Sequence, residues 1–157
     1  MFNTGTIYSN FTPLVKSPVI GYRISGEDVL TILKKLTKRN FSKDHSIMKL
    51  VELHNIDGTI LDKCNVVYFK SPHSFTGEDV CEIFIHGSPL IASQLEQVFK
   101  DYKIPGLRLA KKGEFSFRSV LHNKYSLKQA KAINLIINNE SFSSLEYNKK
   151  ILFEGDI

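Results

Sequence analysis

The sequence predicts an α+β fold, with a mixed, partly antiparallel sheet, packed helices and a helical extension at the C-terminus. Three observations predict it. Alternating apolar and polar residues recur in short runs through the first half of the chain, the period-2 signature of strands with one buried face. Asp57-Gly58 separates two of these runs, and that dipeptide favours hairpin turns, which requires antiparallel pairing there. Amphipathic helical stretches lie between and after the strands without regular strand–helix–strand alternation, which argues against a purely parallel sheet.

Taken in order, Thr6 to Thr12 reads as a short strand, followed by a loop with Pro13, Lys16 and Pro18. Val19 to Ser25 is a second strand, with Ile20, Tyr22 and Ile24 on one side and Arg23 on the other. Ser25 and Asp28 have capping-box-like spacing. The helix they open carries Val29, Ile32, Leu33 and Leu36 on one face. Lys49 to Asn55 and Ile60 to Lys63 flank the Asp57-Gly58 turn, and Cys64 to Phe69 adds another strand. Ser88-Pro89 caps a helix, with proline at its first position, and Ile91, Leu95, Val98 and Tyr102 trace its apolar face until Pro105-Gly106. Gly113 to Val120 mixes phenylalanine and charge. Ser126 to Gln129 is a second capping box, opening a helix with Leu127, Ala130, Ile133 and Ile137 at core spacing. Another helical stretch follows from Ser143 to Ile151.

A chain of 157 residues with 42% hydrophobic and 24% charged residues suits one compact domain with a small appendage. Its N-terminus lacks a basic segment followed by a long apolar run, and no stretch reaches the ~18–20 apolar residues of a membrane span. The expectation is a cytoplasmic protein. Cys64 and Cys81 fall in expected strands without CxxC spacing and read as reduced, buried thiols. Much of the net charge of +5 comes from Lys34, Lys35, Lys38, Arg39, Lys43 and Lys49, set against the single acid Asp44. This patch suits phosphates or other anions, but without an aromatic RNA-binding signature it reads first as a solvated helix end and a basic loop.

The segment SPHSFTGEDVCEIFIHG, Ser71 to Gly87, carries the most chemical information. Alternation from Val80 places Cys81, Ile83 and Ile85 on one face and Glu82, Phe84 and His86 on the other. A carboxylate, an aromatic ring and an imidazole therefore share a surface next to a polar loop, an arrangement suited to a flat polar ligand. His86, at a strand end beside Gly87, reads as structural rather than catalytic. Glu114 and Arg118 read as an ion pair fixing their segment.

Four segments carry a family resemblance: YRISG (Tyr22–Gly26), SFTGEDVCEIFIHG (Ser74–Gly87), PGLRLAKKGEFSFR (Pro105–Arg118) and LHNKYSLKQAKAI (Leu121–Ile133). In this order and spacing they resemble the N-terminal domain of the MnmE/TrmE tRNA-modification GTPases, from about Thr6 to about Ile137. The resemblance implies a folate-binding, dimerising domain over residues 1–124, similar in fold to the tetrahydrofolate-binding domain of aminomethyl-transfer enzymes. Residues 125–157 correspond to the start of a helical domain. The implied ligand is 5-formyl- or 5,10-methylene-tetrahydrofolate. Its implied contacts are Arg23 in YRISG, Glu82 in GEDVCE and Lys124 in LHNK. Glu82 suits the amino-pyrimidine edge of a pterin, Arg23 suits either Glu82 or a ligand oxygen, and Lys124 suits a carboxylate or carbonyl as a point charge. No catalytic residue and no metal are implied.

The implied process is modification of the tRNA wobble uridine. The implied partners are a second copy, a full-length MnmE and the flavoprotein MnmG, with direct tRNA contact left open. Three departures accompany the match. The family's glycine-rich turn before RISG is Thr12-Pro13-Leu14-Val15-Lys16-Ser17-Pro18-Val19-Ile20-Gly21 here, and its HGG is His86-Gly87-Ser88. No GxxxxGK[ST] phosphate loop and no C-terminal cysteine motif occur in these residues, so GTP hydrolysis is not expected of this chain alone. Two alternatives accompany the folate reading: an interaction protein that pairs with a full-length homologue without folate, and a degenerate fragment.

Overall fold

A computed structural model describes residues 5–155. The chain divides into two compact units, Met1–Ser74 with Glu78–Lys111, and Phe75–Gly77 with Lys112–Ile157. The expected α+β class is observed, with a mixed six-stranded sheet and five helices among the described residues.

The first unit contains the whole sheet: β1 (Ile7–Asn10), β2 (Val19–Ser25), β3 (Met48–His54), β4 (Ile60–Phe69), β5 (Val80–His86) and β6 (Arg108–Leu109). Their order is β3-β4-β5-β2-β1-β6, antiparallel throughout except for the parallel β1–β6 pair at one edge. The helices α1 (Val29–Thr37) and α2 (Pro89–Asp101) belong to the same unit. Strand alternation decides which residues meet them. Ile20, Tyr22 and Ile24 of β2, Val51 and Leu53 of β3, Cys64, Val66 and Tyr68 of β4, and Cys81, Ile83 and Ile85 of β5 are all buried. They form one core with Val29, Ile32, Leu33 and Leu36 of α1 and Ala92, Leu95, Val98 and Phe99 of α2. This is the stripe each helix presents at i, i+3, i+4, i+7 spacing. Within this core, the Tyr22 hydroxyl donates to Glu96 Oε1 at 2.6 Å, and burial with this carboxylate pushes the phenol pKa well up.

Two expectations need correction. Ser25 does not cap α1. It remains in β2, opposite Val80 and Ile7, and its hydroxyl donates to Glu78 Oε2 at 2.6 Å. The N-cap is Asp28, whose carboxylate accepts from Thr6 Oγ1 at 2.9 Å instead of from the first helical turn. Ile60–Lys63 and Cys64–Phe69 form one ten-residue strand, because the polar Lys63 and Asn65 simply face away from the core side chains on either side of them. The segment that mixes phenylalanine and charge forms the helix α3 (Glu114–Leu121), with Gly113 as its left-handed N-cap.

Both cysteines are free and buried, as expected. Burial pushes the Cys64 thiol up to about 12, with a further push from Asp62, and burial also raises Cys81. Only the thiolate attacks disulfide reagents. The native protein at pH 8 is therefore expected to leave both thiols unreacted toward Ellman's reagent over minutes and to release two equivalents on unfolding; fast native reaction would contradict this packing.

The second unit holds α3, α4 (Leu127–Asn138) and α5 (Phe142–Glu154). The Ser126–Gln129 capping box is complete: Gln129 N donates to Ser126 Oγ at 3.1 Å, and Ser126 N donates to Gln129 Oε1 at 2.9 Å. Arg118 and Glu114 form the expected pair, at 3.2 Å, with Arg118 buried. The Phe75–Gly77 segment joins this unit through the Nδ1–H of His122, which donates to the carbonyls of Thr76 and Arg118, both at 2.9 Å. No described helix is long and apolar enough to cross a membrane.

Candidate functional site

The central antiparallel pair, β2 and β5, places Arg23 directly opposite Glu82. Each flanks core residues, Tyr22 and Ile24 in one strand and Cys81 and Ile83 in the other, so alternation directs both side chains to the opposite surface of the sheet. Arg23 donates through Nε at 3.0 Å and Nη2 at 2.8 Å, and both bonds reach the same atom, Glu82 Oε1. The pair is mostly shielded, with side-chain exposures of 20% and 18%. Glu82 Oε2 makes no hydrogen bond among the described residues. An ionised carboxylate offers about four acceptor positions, so the Arg23 contacts leave the Oε2 side of Glu82 able to accept.

Aromatic rings border this pair. Phe11, just beyond β1, holds its ring 5.4 Å from the Arg23 guanidinium carbon. It meets Phe84 edge-on at 5.8 Å and 80°. Its place is set by main-chain geometry: Phe11 N donates to Gly21 O at 2.8 Å, and a Cβ on Gly21 would lie 2.3 Å from the ring. An alanine at this position would push the ring aside. Phe84 stands opposite Gly21 in the β2–β5 register. The result is a charged pair with a shielded acceptor and two aromatic edges, suited to a planar ligand with hydrogen-bond donors on one edge.

At the far end of β5, His86 is oriented by a buried acid that sequence reasoning missed. Asp62 Oδ1 accepts from His86 Nδ1 at 2.8 Å, and Asp62 Oδ2 accepts from His86 N at 2.9 Å. The signal was an acid on the Cys64–Val66–Tyr68 side of the strand, where the neighbours are core residues. With Nδ1 held, the ring is oriented at the strand end. Ser88 caps α2 by accepting from Ile91 N. The 12–19 loop meets this end, where Ser17 N donates to Gly87 O at 3.1 Å. Leu14 and Val15 of the same loop are exposed.

Arg23 and Glu82 are thus brought together in the first unit. Lys124 belongs to the second, exposed just after α3, where its backbone N donates to Ser119 O at 2.8 Å. Its stem passes over Gly77, within 3.2 Å of where a Cβ would sit. Phe11 was not singled out from sequence. Its signal was weak: it continues the Ser9–Phe11 alternation on the Arg23 side of β1. A recess of about 520 Å³ lies between the 55–59 hairpin and α2, but Arg23 and Glu82 are not among its lining residues. Its open walls mix polar residues with Ile56 and Val98 and lack the shielded charge pair of the β2–β5 surface.

Comparison with known proteins decides the family. The family model for the N-terminus of the GTP-binding protein TrmE matches residues 6–124. The chain belongs to this family. Among TrmE relatives, the tRNA modification GTPase MnmE of Helicobacter pylori strain 26695 is 44% identical over 136 residues, covering 84% of this chain and 28% of its own length. The MnmE of Rickettsia canadensis is 40% identical over 87% of this chain. That of Francisella philomiragia is 38% identical over 99% of this chain and 33% of its own length. The chain therefore spans about a third or less of these MnmE proteins, in the TrmE N-terminal region.

Proposed function

We propose that this chain is a cytoplasmic MnmE/TrmE-type module that binds a tetrahydrofolate derivative and pairs with a second copy in the service of tRNA wobble-uridine modification. The ligand is 5-formyl- or 5,10-methylene-tetrahydrofolate. The observation that carries the reading is the Glu82 carboxylate, with Oε1 held by Arg23, Oε2 making no hydrogen bond among the described residues, and Phe11 and Phe84 alongside. A pterin's amino-pyrimidine edge supplies the paired N–H donors that such an oxygen accepts, and its ring supplies the flat surface for the aromatic edges. Lys124 enters through the motif match alone. The one-carbon chemistry belongs to the folate and to a full-length MnmE and MnmG acting with it; this chain's residues bind and orient. Calorimetric titration with 5-formyl-tetrahydrofolate tests the reading. Micromolar binding is expected, and a well-folded chain that shows no heat at millimolar ligand would refute it.

A second reading, pairing with a full-length homologue without folate, is favoured by the exposed Leu14 and Val15 in the loop where the family has glycines. Native mass spectrometry of the chain mixed with full-length MnmE separates the readings by partner. Mixed dimers together with absent folate binding would support the second, and self-dimers that bind folate the first.

A further inference from the structure

We infer that the surface formed by the end of α1, the loop that follows it and the middle of β4 docks the phosphate backbone of tRNA. Lys34, Lys38, Arg39, Lys43 and Lys63 are all exposed there. None makes an ion pair with a described residue. Neighbouring acids are already engaged: Asp44 pairs with Lys49 at 2.7 Å, Asp62 holds His86, and Asp57 accepts from Thr59 in its turn. The exception is Glu52, which faces Lys63 in the β3–β4 register, lies 3.9 Å from His54 and is the one acid lining the recess that holds Arg39 and Lys63. Arg39 and Lys63 come from distant points in the sequence and line one recess of about 280 Å³ with Thr37, Leu50, Glu52 and His54.

The negative end of the α1 dipole accounts for Lys34 and Lys35 in its last turn. It does not account for Arg39, Lys43 and Lys63, which lie beyond the helix. Arg39 and Lys63 in one recess, with Lys38 next to Arg39 in the chain, form the electrostatic footprint that a polyanion needs. The recess is lined by no phenylalanine, tyrosine or tryptophan, so no base-stacking platform accompanies it. The contact is therefore with phosphates and independent of base sequence. Choosing RNA over an acidic protein rests on the tRNA-related reading of the family, and not on folate binding.

The test is the affinity of the full chain for an unmodified tRNA transcript, measured across salt concentration. It compares wild type, the triple variant Lys38→Glu, Arg39→Glu, Lys63→Glu, and a control with Lys100→Glu, Lys103→Glu, Lys150→Glu, which makes the same change in net charge. Each lost phosphate contact lowers the magnitude of the log–log salt slope by about one. The triple variant is expected to flatten the slope by roughly 2–3 and to weaken binding at least about tenfold at 100 mM salt, while the control stays near wild type. If the triple variant does not fold, Arg39→Glu alone is expected to flatten the slope by about one. Equal loss in the triple variant and the control overturns the inference, as does absence of wild-type tRNA binding at low salt. Capture of an acidic protein by this surface in place of tRNA overturns it as well. Folate titration of the triple variant is expected to match wild type, so failure of this inference and failure of the folate reading are distinguishable.

Discussion

Glu82→Ala is expected to weaken 5-formyl-tetrahydrofolate binding by at least about 100-fold. The variant removes the only shielded carboxylate of the pair, and hydrogen bonds to charged groups contribute roughly 1.5–3 kcal/mol each. Two such bonds from the pterin edge correspond to about 3–6 kcal/mol, or two to four powers of ten in affinity. The fold should tolerate the change. Glu82 and Arg23 each keep about a fifth of the side chain exposed, so the cost lies above the ~1 kcal/mol of an exposed pair and below the ~3–5 kcal/mol of breaking a buried one. Arg23 also retains its place beside Phe11. Calorimetry and thermal melting on the same sample separate the two effects: affinity collapses while Tm falls by only a few degrees. A variant that still binds within threefold of wild type would remove Glu82 from the site.

Gly87→Ala is expected to produce the largest stability loss of any single methyl addition in the first unit. A Cβ there would sit 1.6 Å from Ser17 O and 2.3 Å from Ser17 C, so the clash is with main chain rather than with a side chain able to rotate away. Overpacking typically costs about 1–3 kcal/mol, and a backbone clash belongs at or above the top of that range. For a chain of this size, about 3 kcal/mol lowers Tm by roughly 6–12 °C. Relief requires the 12–19 loop to swing off β5, which breaks the Ser17 N–Gly87 O hydrogen bond. Ser88→Ala, one residue on, removes only a helix cap and should cost about 1 kcal/mol. Equal melting temperatures for the two variants would contradict this packing of the loop.

The contrast between neighbouring residues shows what was legible in the sequence. Strand faces were legible because alternation alone decides them. Ile20, Tyr22 and Ile24 went to the core, and Arg23 and Glu82 to the opposite surface. The capping box at Ser126 and the cap at Ser88 were legible because both ends of each interaction lie within three residues. Ser25 was misleading for the opposite reason. Its partner, Glu78, lies 53 residues away and holds it in the strand instead. Phe11 and Asp62 were missed on the same ground, since each acts through a residue from another strand or loop. The direct facing of Arg23 and Glu82 depends on the register between β2 and β5, a long-range property that no local pattern specifies.

Chemical-shift mapping reads out whether folate binds beside Glu82. Titrating 5-formyl-tetrahydrofolate into the isotopically labelled chain should move the amide signals of Arg23, Glu82, Phe84, Phe11 and Thr12 most, along a single saturable curve. The Glu82→Ala variant should lose those shifts. Perturbations centred instead on Asn55–Thr59 and α2, around the larger recess, or no perturbation in a well-dispersed spectrum, would contradict binding beside Glu82.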